Sequence, residues 1–399
     1  MKYGVGRTLE ARRYFGFFPA SSFQLLALNG LFLAAYGCAV VGPISGHVPA
    51  AAPQPAGVLD DGYTDVTGVI HVHTTYSHDA NGRFEDVVRV ANAQGLDYVI
   101  LTDHNTLQPL RDGKQGRHGS VLILIGEELS TRGGHYVAMN VSKEVSRHQP
   151  VQRIIDKVNQ QGGFGFIAHP YFAKRRWTDW TVHGYTGMEI YNAAHDVMDD
   201  NRLRIAAWSI ALPADAVFLS ILNRPYDPLS KWDELLARGK VVGIGAADAH
   251  EIHVMGLKIA PYEMMFKLVR THVLQPRGTP LSAASLYDAL RRGHAYVAID
   301  LVTDARHFAF MADNHTDVLG VMGDDVALTP NLELTTILPA TAQVTLFKDG
   351  KPIASVTERA WRVPVTEPGV YRVEASLHGK PWIFSNPIYV KRSSPNAWP

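Results

Sequence analysis

Histidines and carboxylates recur in this sequence at the ends of short apolar runs. His71 and His73 close GVIHVH, Asp79 follows in TTYSHDANG, and Asp103 and His104 close DYVILTDH. Glu127 and Glu128 close VLILIGEE, His135 opens HYVAMNV, His169 follows GFGFIA, and Asp248 and His250 close VVGIGAADAH. Residues two apart on a strand face the same side, so His71 and His73 can reach one ion. Imidazole and carboxylate without sulfur suit Zn, Mn, Fe or Co rather than Cu(I) or an iron–sulfur cluster. A catalytic zinc takes about three protein ligands, so six histidines and three carboxylates imply two or three ions. Two ions roughly 3.5–4 Å apart can share a hydroxide and clamp both oxygens of a displacement, which makes hydrolysis the natural chemistry.

The runs that carry these residues are β-rich and lack strict alternation, as strands buried on both faces should. GMEIYN is a further one, placing Glu189, Tyr191 and Asn192 at the same mouth. The spacing predicts helices over Phe84–Gln94, Val151–Gln161 and Lys231–Arg238, followed by Gly95, Gly162 and Gly239 as left-handed stops. The last of these, with Trp232 and Asp233, reads as an ordinary amphipathic helix. Alternating strand and helix argue for a parallel α/β barrel or open sheet. In such barrels the site lies at the carboxyl ends of the strands, so the strand-end groups should converge. From Asn331 to Val390 the helical period is lost. Asp349-Gly350 and Pro368-Gly369 mark turns there, in what reads as a small all-β sandwich.

The chain has 399 residues, 46% of them hydrophobic, which suits one large domain and a smaller one. Lys+Arg and Asp+Glu each total 38, so no overall charge pulls toward nucleic acid and a small-molecule substrate is the expected partner. One cysteine, Cys38, excludes an internal disulfide and a thiolate metal cage. Residues 1–60 read as an export signal or anchor with a Pro/Ala linker, since Lys2, Arg7, Arg12 and Arg13 precede the apolar run Leu25–Val41. Arg12-Arg13 resembles a twin-arginine signal and Ala35–Cys38 a lipoprotein box, while the run is nearly long enough for an uncleaved membrane anchor. The expectation is an exported protein, periplasmic or attached to the membrane through its N-terminus. Residues 61–312 are expected to form the metal-binding domain and 313–399 the β module.

The order HxHTxxS…D, TDHN, GxE, H, AHP and DAH, from His71 to His250, resembles the PHP (polymerase and histidinol phosphatase) domain. The resemblance implies a distorted seven-stranded (β/α) barrel, here followed by the small C-terminal all-β module. It also implies a trinuclear site of divalent ions (Zn, Mn or Fe) and phosphoester hydrolysis by a metal-bridging hydroxide. By position it puts His71, His73, Glu128 and Asp248 on one ion, and Glu128, His135 and His169 on a second. Asp79, His104 and His250 fall on a third, with Asp79 standing where some members have His. The Gly-x-Glu motif selects Glu128 over Glu127, and Asp103 becomes a partner that orients a ligand. ALRRGHAYVA and the later WIFSNPIYV are similar to the carbaryl-hydrolase-like branch, named for members that cleave a carbamate ester. A carbamate or carboxylic ester is therefore the alternative to a phosphate mono- or diester.

Lys174, Arg175 and Arg176 follow AHP, where Arg175 and Arg176 can hold a substrate phosphate, with a solvated charge cluster as the plain alternative. Asn192 is expected against the substrate. His195 and His253 lie just past strand ends, and His195 is the candidate general acid to a leaving group. An amidohydrolase also opens on HxH but would end a mid-barrel strand in a bridging lysine, and none does. A non-enzymatic exported metal-binding protein would lack a ligand, and no ligand is missing.

Overall fold

The computed structural model describes residues 59–195, 213–254 and 257–392. The signal, anchor and lipid-box expectations on residues 1–58 lie outside these. The apolar runs all form strands: β1 (Tyr63–Val72), β2 (Tyr98–Leu101), β3 (Gly116–His118), β4 (Val121–Ile125), β5 (Glu127–Thr131), β6 (Gly134–Met139), β7 (Phe164–Ala168), β8 (Gly187–Asn192) and β9 (Val242–Ala246). β1, β2 and β4 pair in parallel in one sheet. β5 to β9 make a second, five-stranded sheet, antiparallel through β7 and parallel from β7 to β9.

The two sheets do not close into the expected seven-stranded barrel. They abut at seams marked by single bridges, Val72 to Ala249 and His104 to Glu128. The ladder breaks there because His71 (φ 68°), Asn105 (φ 54°) and Asp248 (φ 50°) adopt left-handed backbone, which cannot continue an extended register. The result is a mixed α/β fold. Ile70, Ile100, Leu124, Phe166 and Ile244 belong to one buried cluster, and Val69, Val99, Ile123, Ile167 and Met188 to another. Burial on both faces explains the missing alternation.

Among the described residues the helices are α1 (Phe84–Ala93), α2 (Gln108–Arg111), α3 (Val151–Gln160), α4 (Ala214–Ile221), α5 (Tyr226–Leu236), α6 (Tyr262–Leu268) and α7 (Ala283–Arg292). Val87, Val90 and Ala91 of α1 and Ile154, Ile155 and Val158 of α3 bury the expected stripes. Gly95 (φ 62°) and Gly162 (φ 76°) are left-handed stops. Gly239 is not, because α5 starts at Tyr226 and already ends at Leu236.

The short β10 (Ile252–Val254) and β11 (Leu257–Ile259) pair with each other. β12 (Arg270–Pro276) runs antiparallel to β1, and β13 (Ala295–Ala298) to β12. β14 (Ala309–Asp313), β15 (Val318–Val321), β16 (Asp325–Ala327), β17 (Glu333–Lys348), β18 (Lys351–Pro364), β19 (Gly369–Leu377), β20 (Lys380–Ser385) and β21 (Ile388–Lys391) follow. The tail was expected as a separate sandwich, but β20 pairs with β13 and extends the first sheet to 14 strands. An unpaired β13 edge would leave backbone groups unsatisfied, and β20 supplies their partners. Arg372 of β19, 1% exposed, reaches Asp233 of α5 at 2.7 and 2.8 Å and Glu374 at 2.6 Å. Asp233 is thus a buried-pair partner, which the amphipathic pattern of its helix did not reveal.

Candidate metal centre

β1 brings His71 and His73 together, though not by simple alternation. The β1–β2 register shifts between Ile70 and Val72, and this kink sets the two rings 5.0 Å apart. Glu128, at the start of β5, lies among five imidazoles. Its Oε2 is 3.1 Å from His71 Nε2, 3.2 Å from His73 Nε2 and 3.1 Å from His104 Nδ1. Its Oε1 is 2.6 Å from His135 Nδ1 and 2.9 Å from His169 Nε2. Asp248 Oδ1 stands 3.5 Å from His71 Nε2, 3.6 Å from His73 Nε2 and 3.5 Å from His250 Nδ1. Asp79 borders the exposed side, 3.3 Å from His104 Nε2 and 3.8 Å from His250 Nε2. All nine expected ligands therefore meet in one cluster. Glu127 points elsewhere and accepts the Val145 N–H at 3.1 Å, with burial pushing its carboxyl up to about 7.

The donors fit divalent cations. A carboxylate offers about four lone-pair sites, fewer than five imidazoles could satisfy. His71 Nε2, His73 Nε2, His104 Nδ1, Glu128 Oε2, His135 Nε2 and His169 Nδ1 are buried without any hydrogen bond. Each such atom costs roughly 1–3 kcal/mol unless something compensates it. Ligand atoms of His71, His73 and Glu128 lie within 4.8 Å of one another, as do those of His71, His169 and Asp248. The same holds for His104, Glu128 and His135, and for His73, His104 and His250.

The charges are strongly coupled. Burial alone would raise the Glu128 carboxyl, but the neighbouring His71 and His135 hold it well below the usual range. Burial likewise opposes His71 and His250 at Asp248, and His104 at Asp79, and both carboxyls end lowered. Burial disfavours the His71 cation, yet Glu128 and Glu189 carry it above the ordinary imidazole range. His73 falls to about 3 through burial and the charge of His250.

Other expected residues lie around this core. Asp103 faces away from the centre and accepts Thr74 N–H at 2.7 Å, Thr74 Oγ1–H at 2.9 Å and Ser77 Oγ–H at 2.7 Å. Its influence passes through Ser77 Oγ, which lies 3.1 Å from His73 Nδ1 and accepts His104 N–H at 2.9 Å. Asn192, expected against substrate, instead donates Nδ2 to Glu189 at 2.9 Å and Asp248 at 3.2 Å, and accepts His195 N–H at 2.9 Å. The His195 ring stands edge-on to Phe172 at 5.6 Å, and Phe172 edge-on to His169 at 5.8 Å. His253 is held away, its N–H bonded to Asn81 at 2.7 Å and its ring 3.7 Å from Glu251. Lys174, Arg175 and Arg176 are exposed on the loop that leaves His169.

The PHP domain family pattern matches residues 70–289, more than half of the chain. The chain belongs to the PHP domain family. An uncharacterized protein of Methanocaldococcus jannaschii is 26% identical to this PHP protein over 141 residues, 32% of this chain and 81% of its own length. Among solved structures, PsfC from Pseudomonas syringae has 13% identity and a TM-score of 0.39, covering 59% of this chain and 92% of its own. A protein from Bifidobacterium adolescentis, provisionally assigned as a metal-dependent phosphoesterase, has 13% identity and a TM-score of 0.32, with coverage of 48% and 91%. PHP membership and the clustered donors together support a metal-dependent hydrolase.

Two residues of this PHP site escaped the sequence reading. Glu189 was placed only at the mouth, yet it is 1% exposed and 2.5 Å from His71 Nδ1. An acidic residue inside the apolar run GMEIYN was the available signal, because an unpaired buried carboxylate is rare. Ser77 carried no signal beyond its place in HxHTxxS.

Proposed function

We propose that this PHP protein is a phosphoesterase acting on a phosphate mono- or diester. The observation that carries this is the loop leaving His169. It turns through the Phe172 N–H to His169 O bond and the Trp177 N–H to Pro170 O bond, both 2.9 Å. Lys174, Arg175 and Arg176 are exposed there, and among the described residues none pairs with a carboxylate. Arg175 donates to the Lys174 carbonyl, and Arg176 lies 5.1 Å from the Tyr171 ring centre. Three exposed cations that pair with no carboxylate among the described residues, on the loop that leaves one of the clustered histidines, suit an anionic substrate.

Two or three Zn, Mn or Fe ions held by His71, His73, Asp79, His104, Glu128, His135, His169, Asp248 and His250 would supply Lewis acidity and a more acidic water. The chain itself orients the phosphate through Arg175 and Arg176. In this reading His195, partly exposed and with its backbone N–H bonded to Asn192, protonates a leaving oxygen. Asp103 steadies His73 and His104 through Ser77.

A second reading keeps the metals and takes a carbamate or carboxylic ester, as the carbaryl-hydrolase-like resemblance suggests. The Phe172 ring between His169 and His195 favours it, since that wall fits an aryl group. Export completes the proposal. Rates on p-nitrophenyl phosphate, bis(p-nitrophenyl) phosphate, a naphthyl carbamate and p-nitrophenyl acetate test it. Phosphate ester turnover is expected. Carbamate or acetate cleavage without phosphate ester cleavage would overturn it.

A further inference from the structure

Glu189 lies below the cluster in β8 and makes three bonds there. Its Oε1 is 2.5 Å from His71 Nδ1. Its Oε2 accepts the His169 backbone N–H at 2.7 Å and an Asn192 Nδ2 hydrogen at 2.9 Å. The same Asn192 Nδ2 reaches Asp248 Oδ2 at 3.2 Å, which leaves Asp248 Oδ1 turned toward the imidazoles. One carboxylate thereby touches His71 and His169 directly and Asp248 through one amide. Those three residues are also one of the groups whose ligand atoms lie within 4.8 Å of one another.

An ionised carboxylate only accepts hydrogen bonds, so all three partners must donate to Glu189. The backbone N–H and the amide NH₂ are fixed donors. The proton of a neutral His71 must then sit on Nδ1, which leaves a lone pair on Nε2. Glu128 Oε2 stands 3.1 Å from that atom, yet neither His71 Nε2 nor Glu128 Oε2 has a hydrogen bond. Two lone pairs held that close repel unless a cation lies between them.

We propose that Glu189, with Asn192, is the positioning residue of one metal position, fixing the His71 proton on Nδ1 and holding His71, His169 and Asp248 as a single set, a grouping that departs from the division of His71 and His169 between two ions implied by the family resemblance. This rests on the metal-binding reading but not on the identity of the substrate. It separates Glu189 from the ligands, since its oxygens are already taken by protein donors.

The test is cobalt(II) titration of the metal-stripped full-length protein, read by visible absorption and equilibrium dialysis. Glu189→Gln puts an NH₂ against either His71 Nδ1–H or His169 N–H. Moving the His71 proton to Nε2 relieves the conflict and removes that donor atom. The expected result is one cobalt equivalent bound about 10–100-fold more weakly, with its absorption band altered and the other equivalents unchanged. In selectively ¹⁵N-labelled, zinc-loaded protein, wild-type His71 should show a protonated Nδ1 and a metal-bound Nε2, and Glu189→Gln should lose that pattern. Asn192→Ala removes the Asp248 arm together with one hydrogen bond that Glu189 Oε2 accepts, keeps the His71 and His169 bonds, and should weaken the same equivalent by a smaller factor.

Wild-type affinity for every equivalent in Glu189→Gln would overturn the proposal. Should Glu189→Gln not fold, Asn192→Ala decides: a weakened single equivalent supports the role, and unchanged binding refutes it. Absence of cobalt binding by the wild type would instead remove the metal reading itself.

Discussion

Stability should fall between about pH 6.5 and 10 because of one buried histidine outside the cluster. His272 of β12 is fully buried, with Nδ1 2.9 Å from Asp65, Nε2 3.3 Å from Asp300 and its ring stacked on Tyr296 at 4.6 Å. Burial disfavours the imidazolium, but the two carboxylates outweigh it and lift its pKa to about 10. An unfolded histidine titrates near 6.5. A group whose folded pKa is raised stabilises fully below its unfolded value, and that contribution disappears as pH rises through the folded one. The separation of about 3.5 units, at roughly 1.4 kcal/mol each, sets a ceiling of about 5 kcal/mol. Urea unfolding of wild type and His272→Gln, at equal metal load and half-unit pH steps, measures it. Glutamine can still donate to Asp65 but carries no charge. The stability gap should be widest near pH 6.5 and shrink toward pH 10. Burial raises Tyr296 and Tyr98 beyond the ordinary phenol range, so their contribution begins only above this window. A gap that stays constant from pH 6.5 to 10 would refute the reasoning.

Arg372→Ala should cost about 3–5 kcal/mol in urea unfolding, because Asp233 and Glu374 would lose their buried guanidinium. Gly187→Ala would place a Cβ 1.9 Å from the Val242 carbonyl oxygen, forcing β8 from β9. The expected loss is roughly 1–3 kcal/mol, with reduced metal content because β8 carries Glu189 and Asn192. Replacing Lys174, Arg175 and Arg176 together by Gln should raise KM for a phosphate ester about tenfold and change kcat little, as loss of uniform binding does.

The convergence of His71, His73, His104, Glu128, His135, His169, Asp248 and His250 was legible because strand ends and ligand types can both be read from residue order. The pattern left a barrel and an open sheet as alternatives and did not decide between them. The open arrangement follows from left-handed backbone at His71 and Asp248, a conformation that apolar periodicity does not encode. The joining of the tail to the first sheet depends on β20 meeting β13, a pairing between residues some ninety positions apart in sequence. Asp233 and Arg372 were silent for a similar reason, since each looks like an ordinary surface charge until its partner is known. Glu189 was visible as an oddity in GMEIYN, but its partners were not.

Elemental analysis of purified wild type and Asp248→Ala, each stripped and reloaded with zinc or manganese, tests the central claim most directly. Two or three divalent ions per wild-type chain are expected, with fewer ions and slower turnover in the variant. A wild type that retains no ion, or an Asp248→Ala variant with unchanged stoichiometry, would contradict the account.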